Sequence, residues 1–208
     1  MRVVAIASQK GGAGKTTLTV HLAIAAVMAG VKAAVIDTDP QASLADWWNV
    51  REKNDLPFVL STVAELPVKI EQLREGGIEM LFIDTPPSVT DVIRDVVALS
   101  DIIIIPTKPS PLDVRAISKT VNIVEKCGKP MVFVISIAKK NARITADTAV
   151  LLSQFGTVAP VQIGDRTEYA SCMIDGRTVM EVYPSGNSAE EVVQLWKYIN
   201  SQVSRRVK

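Results

Sequence analysis

Residues 9–17 read Gln9-Lys10-Gly11-Gly12-Ala13-Gly14-Lys15-Thr16-Thr17, and they directly follow an apolar run at residues 3–7. A strand that leads through a glycine-rich loop into a helix is the setting in which backbone N–H groups surround phosphate groups. At this spacing Lys15 would reach the β- and γ-phosphates, and the Thr16 hydroxyl would be a ligand of Mg²⁺. The segment therefore predicts a triphosphate-binding loop.

This loop departs from the common pattern G-x-x-x-x-G-K-[ST], because Gln9 stands where that pattern has its first glycine. It also carries a second lysine, Lys10, five residues before Lys15. A nucleotide that is already bound by Lys15 does not obviously need Lys10 from the same subunit. The role of the second lysine must therefore be explained separately.

Two further motifs follow strand-like runs, Val35-Ile36-Asp37-Thr38-Asp39-Pro40-Gln41 and Leu81-Phe82-Ile83-Asp84-Thr85-Pro86-Pro87. Together with the loop and its two lysines, they resemble the deviant Walker A, D-x-D-P-Q and Walker B motifs of the ParA/MinD family of ATPases. The resemblance covers essentially the whole chain. The segment Ile105-Pro106-Thr107-Lys108-Pro109-Ser110-Pro111-Leu112-Asp113 is most similar to that of short plasmid partition ATPases of the ParF type.

The resemblance implies ATP, ADP and Mg²⁺ as ligands, and it assigns catalytic roles to Lys10, Lys15 and Asp37. Lys10 would cross the interface of an ATP-bound homodimer to the partner's nucleotide, although a solvated counter-charge is the simpler alternative. Asp37 would orient or activate the attacking water. Thr16 and Asp84 would hold Mg²⁺, and the alternative for Asp84 is a strand-end acid that caps a turn.

The nucleotide contacts implied by the resemblance are Gly11, Gly12, Ala13, Gly14, Lys15, Thr16, Thr17, Asp39, Pro106 and Pro109. Asp39 has an alternative role as the N-cap of a helix over residues 41–48, since Asp is favoured at that position and Pro40 would follow it. The prolines would contribute to nucleotide-linked self-association, which could extend from dimers to higher polymers. Their alternative is a rigid turn before a helix that is capped near Ser110.

The 208 residues fit one α/β domain with a sizeable core, so we expect a single domain over 1–208. The 48% of hydrophobic residues are consistent with a sheet that is buried on both faces. The two cysteines do not form a disulfide framework, so a reducing cytosol is the simplest location. We expect no signal peptide, because the chain opens on a strand. A membrane span is not expected either, because the apolar runs fall short of the roughly 18–20 residues required.

Apolar blocks alternate with helical patterns along the chain, which predicts a doubly wound, mostly parallel sheet with helices on both faces, of the P-loop NTPase type. The predicted strands are 2–8, 32–37, 80–84, 101–106, 131–137 and 158–163. The predicted helices are 15–29, 42–51, 68–74, 90–100, 113–127, 144–154 and 188–204.

Any contact with DNA must come from a local patch of cations, since the net charge is only +1. Partition ATPases bind DNA without sequence preference as dimers, and Lys140, Arg143 and Arg166 are the candidate phosphate contacts. The C-terminal segment Ser188–Lys208 carries an apolar stripe. We expect it to pack on the domain, with a membrane-binding amphipathic helix as the alternative.

The sequence is thus interpreted as a ParA-type ATPase for plasmid or other DNA partition, cytoplasmic and associated with the nucleoid. A centromere-bound, ParB-type partner protein would stimulate its hydrolysis of ATP. Two alternatives stay open, a MinD-like membrane-associated regulator of division placement and a positioning ATPase for a protein cargo.

Overall fold

The computed structural model describes residues 1–87 and 90–204, and it contains a seven-stranded sheet. The strands are β1 (Arg2–Ile6), β2 (Ala33–Asp37), β3 (Phe58–Leu60), β4 (Met80–Asp84), β5 (Ile102–Thr107), β6 (Met131–Ile135) and β7 (Thr157–Val158). Their order is β3-β2-β4-β1-β5-β6-β7, and each pair of neighbours is parallel. The chain reverses its winding direction at β1, so ligands are expected at the carboxyl end of that strand.

The connections between the strands are mainly helical. The helices are α1 (Lys15–Met28), α2 (Ser43–Asn49), α3 (Leu66–Glu75), α4 (Thr90–Leu99), α5 (Pro111–Lys126), α6 (Arg143–Ser153), α7 (Thr167–Ser171), α8 (Val179–Val182) and α9 (Asn187–Ser204). Two short 3₁₀ segments lie at Val63–Glu65 and Cys172–Asp175.

Two hydrophobic cores lie on opposite faces of the sheet, because successive strand residues point to opposite sides. In β5, Ile102 and Ile104 pack into the core beneath α1 and α9, whereas Ile103 and Ile105 pack into the core beneath α4 and α5. All four residues are at most 1% exposed. The doubly wound α/β fold predicted from the apolar blocks is therefore confirmed.

The sheet differs from the prediction at both edges. The three-residue strand β3 was missed, since a run this short after Pro57 carries no periodicity. The prediction of a strand over 158–163 is wrong, because β7 ends at Val158. Beyond it the chain stays beside β6 through the bonds Ala159 N to Phe133 O and Ile163 N to Ile135 O, but Pro160 has no N–H to continue the ladder.

The C-terminal helix α9 buries the apolar stripe seen in the sequence. Its residues Val192, Leu195, Trp196 and Ile199 are at most 5% exposed and join the core beneath α1. The expected packing on the domain is therefore confirmed for the described part of the helix, whereas residues 205–208 lie outside it. Among the described residues, the helices lack the combined length and apolarity that a bilayer span requires.

Candidate nucleotide-binding site

The glycine-rich loop follows β1 at the centre of the sheet and opens helix α1. Gly12 and Gly14 have φ angles of 70° and 85°, which L-residues with a side chain rarely adopt. Gly14 is the N-cap of α1 and offers no side chain to its first N–H groups. These donors therefore remain directed at the loop, where the helix dipole also favours an anion.

Lys15 and Thr16 occupy the first turn of α1 beside Asp84. Thr16 Oγ1 donates to Asp84 Oδ2 at 2.6 Å, while Asp84 Oδ1 is buried without a hydrogen-bond partner. Burial raises the pKa of Asp84 to about 7, and burial likewise lowers the pKa of Lys15, an effect that Asp84 and Asp39 oppose. The carboxylate and the ammonium are thus held close together in a setting that disfavours both charges.

This pair of side chains fits a magnesium ion. Mg²⁺ prefers oxygen ligands and usually keeps several waters, so one carboxylate and one hydroxyl suffice on the protein side. The unpartnered Asp84 Oδ1 and the adjacent Thr16 hydroxyl supply those oxygens. The residues predicted as metal ligands are therefore brought together by the fold.

Asp37 ends β2 directly opposite Asp84, its register partner at the end of β4. Its Oδ1 accepts from Asp39 N at 2.9 Å, and its Oδ2 accepts from Leu44 N and Ala45 N, each at 3.1 Å. Burial raises its pKa, and these three N–H groups oppose that effect. They fix the carboxylate at the edge of the sheet, next to the loop.

The helix-cap alternative for Asp39 is wrong. Helix α2 begins at Ser43, and Asp37 rather than Asp39 accepts hydrogen bonds from its first turn. Asp39 instead accepts from Gln41 N at 2.9 Å in the turn before the helix. Its carboxylate therefore stays on the loop side, within electrostatic reach of Lys15.

Lys10 points within its own subunit. Its Nζ lies 3.3 Å from Oδ2 of Asp113, whose Oδ1 is buried without a hydrogen-bond partner. The Lys10 side chain is 40% exposed and that of Asp113 is 7% exposed. The second lysine is therefore a partly solvated cation at the rim of the site.

The proline-rich segment divides between a strand and a helix. Pro106 lies inside β5 opposite Val134 of β6, within the strand predicted over 101–106. The strand tolerates it because pairing with β1 ends at Ile104, and no ladder bond is lost on that side. Pro109 lies in the turn, and Ser110 caps α5 through a 3.1 Å bond from Asp113 N, as predicted.

Lys108 of the same segment is a cation that the sequence reasoning did not single out. A Cβ added to Gly12 would lie 3.5 Å from Lys108 Nζ, which places this ammonium over the phosphate loop. Lys108 directly follows β5, which ends at the same edge of the sheet as the phosphate loop, and this position in the sequence could have indicated its proximity to the loop.

A cavity of about 200 Å³ opens beside the phosphate loop, and the sequence did not indicate it. Its lining residues come from α1, from the end of β6 and from the chain before and within α7: Gly14, Thr17, Leu18, Ser136, Ile137, Ile163, Gly164, Asp165, Arg166, Tyr169 and Ala170. Ile137 adopts a φ of 55°, a strained conformation for a β-branched residue. The cavity adjoins the phosphate loop, because Gly14 and Thr17 form part of its lining.

The three candidate DNA contacts have different surroundings. Lys140 is exposed, and the Arg143 side chain is 93% exposed with only a 3.7 Å contact to Asp147. Arg166 instead donates from Nε and Nη2 to Glu191 Oε1, at 3.0 and 2.7 Å. Two of the three predicted cations are therefore available to a polyanion, and Arg166 is already paired.

Known proteins of two named kinds are similar to this chain. The maintenance of carboxysome distribution protein A of Gloeobacter kilaueensis is 42% identical over 123 residues, covering 58% of this chain and 56% of that protein. The protein of the same name from Halothiobacillus neapolitanus is 26% identical over 91% of this chain and 92% of its own length. Protein ParA of Rhizobium radiobacter is 25% identical over 82% of each chain.

Solved structures show the same fold. The septum site-determining protein MinD of Pyrococcus horikoshii OT3, complexed with Mg-ADP, superposes with a TM-score of 0.83 and 17% identity. The superposition covers 100% of this chain and 99% of that one. The profile of the CobQ/CobB/MinD/ParA nucleotide binding domain matches residues 4–178. The chain thus belongs to this ParA/MinD family of nucleotide-binding proteins, as the motifs of its sequence predicted.

Proposed function

We propose that this chain is a Mg²⁺-dependent ATPase that hydrolyses ATP to ADP and phosphate and uses the cycle to position a cargo on DNA. The observation that carries the proposal is the meeting of three elements at one edge of the sheet. These are the open N–H groups of the phosphate loop, the Thr16–Asp84 pair with its unpartnered oxygen, and the buried Asp37.

Phosphoryl transfer needs placed cations and a placed water more than covalent help from the protein. Lys15 binds the β- and γ-phosphates, and Thr16 and Asp84 hold Mg²⁺. The bound ion would neutralise charge that develops on the phosphate oxygens. Asp37 has about four acceptor positions, of which three are filled by backbone N–H groups, so one remains to orient a water.

Lys10 couples ATP binding to the formation of a homodimer. In the free subunit its partner is Asp113, whose carboxylate also accepts a hydrogen bond from Ser110 Oγ and keeps that partner when Lys10 leaves. The Lys10 side chain is 40% exposed, so it can exchange Asp113 for the nucleotide of the partner. Two nucleotides are then enclosed between two subunits.

Sedimentation of two variants tests this division of roles. Asp37→Ala should bind ATP, fail to hydrolyse it and accumulate dimers, because water is no longer oriented. Lys10→Ala should bind ATP and remain monomeric. Thermal melting of Asp37→Ala serves as the control, since Asp37 also bonds to α2. A folded Asp37→Ala that stays monomeric with ATP would contradict the assignment.

The proposed cargo is DNA, in particular a plasmid whose centromere carries a ParB-type partner protein. The similarity to Protein ParA and the exposed Lys140 and Arg143 support it, and the chain would then localise to the nucleoid in the cytoplasm. The buried apolar face of α9 argues against the alternative of a MinD-like membrane regulator.

A protein assembly is the second candidate cargo, because two relatives are named for carboxysome distribution. The products of the neighbouring reading frames distinguish the two. Stimulation of ATP turnover that requires both a neighbouring protein and its own DNA site would support plasmid partition. Stimulation by a neighbouring protein without such a site would support a protein cargo.

A further inference from the structure

One carboxylate of the C-terminal helix connects three residues that line the 200 Å³ cavity. Glu191 Oε1 accepts from Nε and Nη2 of Arg166, at 3.0 and 2.7 Å. Glu191 Oε2 accepts from Gly164 N at 3.0 Å and lies 2.9 Å from the Tyr169 hydroxyl. A single side chain thus links the chain before α7, helix α7 and helix α9.

The position of this carboxylate is fixed by its helix. The neighbouring residues Ser188, Ala189 and Val192 are at most 2% exposed, so α9 cannot shift without opening the core. The Glu191 and Arg166 side chains are 18% and 29% exposed, so water screens the pair only in part.

The backbone of the cavity wall has supports of its own. Ala138 N donates to Ile163 O and Asp165 N donates to Ala138 O, both within 3.0 Å. Removing Glu191 would therefore leave the path of the chain intact. Its specific effect is on two side chains, Arg166 and Tyr169, which would lose their shared partner. The Tyr169 hydroxyl would then keep its other acceptor, Ser188 O at 3.0 Å, so the larger change is expected at Arg166.

We infer that Glu191 is a positioning residue for the nucleoside end of the nucleotide site. It holds Arg166 and Tyr169 in the arrangement that leaves the cavity open for the base, and so it sets the affinity for ATP without contacting the phosphates. The inference rests on the proposed function, because it requires ATP in this site. It makes the last helix of the chain a part of a site that begins at residue 9.

The test compares Glu191→Gln with Glu190→Gln, its exposed neighbour, whose Oε1 accepts from Gln194 Nε2. ATP hydrolysis is measured for KM and kcat, and inorganic tripolyphosphate, which has no base, is measured as an inhibitor. Glu191→Gln should raise KM for ATP about tenfold, the factor expected for one lost charge-assisted hydrogen bond. Its kcat and its tripolyphosphate inhibition constant should stay within about twofold of wild type.

Two further variants guard against a general loss of structure. Tyr169→Phe removes only the hydroxyl and should raise KM for ATP in the same direction by a smaller factor. Arg166→Gln combined with Glu191→Gln should raise KM by less than the product of the two single effects, because the residues act through one contact.

An unchanged KM in Glu191→Gln would overturn the inference. Equal weakening of ATP and tripolyphosphate would also overturn it, because the effect would then be on the whole fold. Wild-type protein that hydrolyses no ATP would instead refute the proposed function, whatever the behaviour of the Glu191 variants.

Discussion

Two clusters of charged residues in this molecule, each built around buried members, are satisfied in opposite ways. The loop cluster consists of Lys15, Asp37, Asp39 and Asp84 at the carboxyl edge of the sheet. The Arg51 cluster consists of Arg51, Lys53, Asp55 and Glu181 and joins the chain after α2 to helix α8. The first cluster has three acids and one base, and the second has two of each.

The Arg51 cluster is complete within the protein. Arg51 Nη2 lies 2.7 Å from Asp55 Oδ2 and 3.0 Å from Glu181 Oε1, and its Nη1 donates to Gly176 O at 2.7 Å. Burial disfavours the charge of Glu181, but hydrogen bonds from Arg51 and Lys53 outweigh it and lower its pKa to about 2. This cluster needs no ligand.

The loop cluster is incomplete by comparison. Burial raises the pKa of Asp84 to about 7, and one of its oxygens has no partner. A buried charge that the protein itself leaves unpaired is costly, whereas a fully paired one can serve stability. A ligand site is thus distinguished from a structural ion cluster by whether its buried charges are paired within the protein, more than by how deeply they are buried.

The largest effect on activity is expected from a substitution in the loop cluster. Lys15→Gln removes the only base of that cluster and should lower kcat/KM for ATP by at least about 100-fold, because charge on the phosphates is no longer neutralised. ATP-dependent dimers should also disappear. Steady-state turnover and sedimentation measure both effects, and full turnover in this variant would refute the assignment.

The next largest effect, on stability, is expected from a substitution in the Arg51 cluster. Arg51→Met leaves Glu181 buried without its main partner and should lower the free energy of unfolding by about 3–5 kcal/mol. Urea unfolding measures it, and Arg177→Ala is the control, since its pair with Asp175 is half-exposed. The folded fraction of Arg51→Met should keep its turnover, and selective loss of activity would contradict a purely structural role.

A smaller effect concerns pH, for which the two clusters have opposite signs. Asp84 has a raised pKa, so it contributes stability below its ordinary pKa of 3.8 that is lost as the pH rises through about 7. Glu181 has a lowered pKa, so its contribution is present above the ordinary 4.5 and is lost as the pH falls towards about 2.

Asp84→Asn should therefore raise the free energy of unfolding by about 1–2 kcal/mol at pH 8, without Mg²⁺ or nucleotide. The gain should vanish near pH 4, where the wild-type carboxyl is also protonated. Urea unfolding at several pH values measures it. A gain that is independent of pH would show that burial of the charge is not its cause.

The smallest effects concern DNA binding, in which the exposed cations Lys140 and Arg143 should behave differently from the paired Arg166. With ATP, wild-type binding to DNA should fall with salt on a log–log slope of about −4 to −5, as expected for four to six neutralised phosphates. Arg143→Ala or Lys140→Ala should reduce the steepness of that slope by about 2 for every DNA sequence, because each substitution removes one phosphate contact from each subunit of the dimer. Arg166→Ala should leave it unchanged, because Glu191 already neutralises Arg166.

Equal binding of DNA with ATP and with ADP would contradict this mechanism, because the patch must be doubled by the ATP-bound dimer. A strong preference for one DNA sequence would contradict it as well, since contacts to phosphates carry no sequence information.

Short-range features of this protein could be predicted from its sequence. The continuous apolar runs at residues 80–84 and 102–105 predicted strands that are buried on both faces. The glycine-rich segment at residues 9–17 predicted a phosphate loop, and Gly12 and Gly14 supply the left-handed backbone that this loop adopts. The placing of Asp37, Asp84 and Thr16 at one edge followed from parallel topology, although their catalytic roles remain predictions.

Other features depended on contacts between distant parts of the chain. Asp113, the partner of Lys10, lies 103 residues away, and Glu181, one of the two acidic partners of Arg51, lies 130 residues away. The partner of Arg166 lies on another element. The sequence does not indicate whether a charged residue is solvated or paired in the fold, so the pairing of Arg166 with Glu191 could not be predicted.

From the chain alone we could thus predict the family, the order of the central strands and longer helices, and the loop for phosphates, because these depend on local periodicity and on backbone freedom at glycine. The satisfaction of each charge depends on the tertiary structure. The tertiary structure joined Glu191 to Arg166 and Tyr169, made Asp37 the acceptor for the first turn of α2, and left one oxygen of Asp84 unpaired. Satisfaction of a buried charge depends on which distant groups folding brings within about 3 Å, and adjacency along the chain does not encode it.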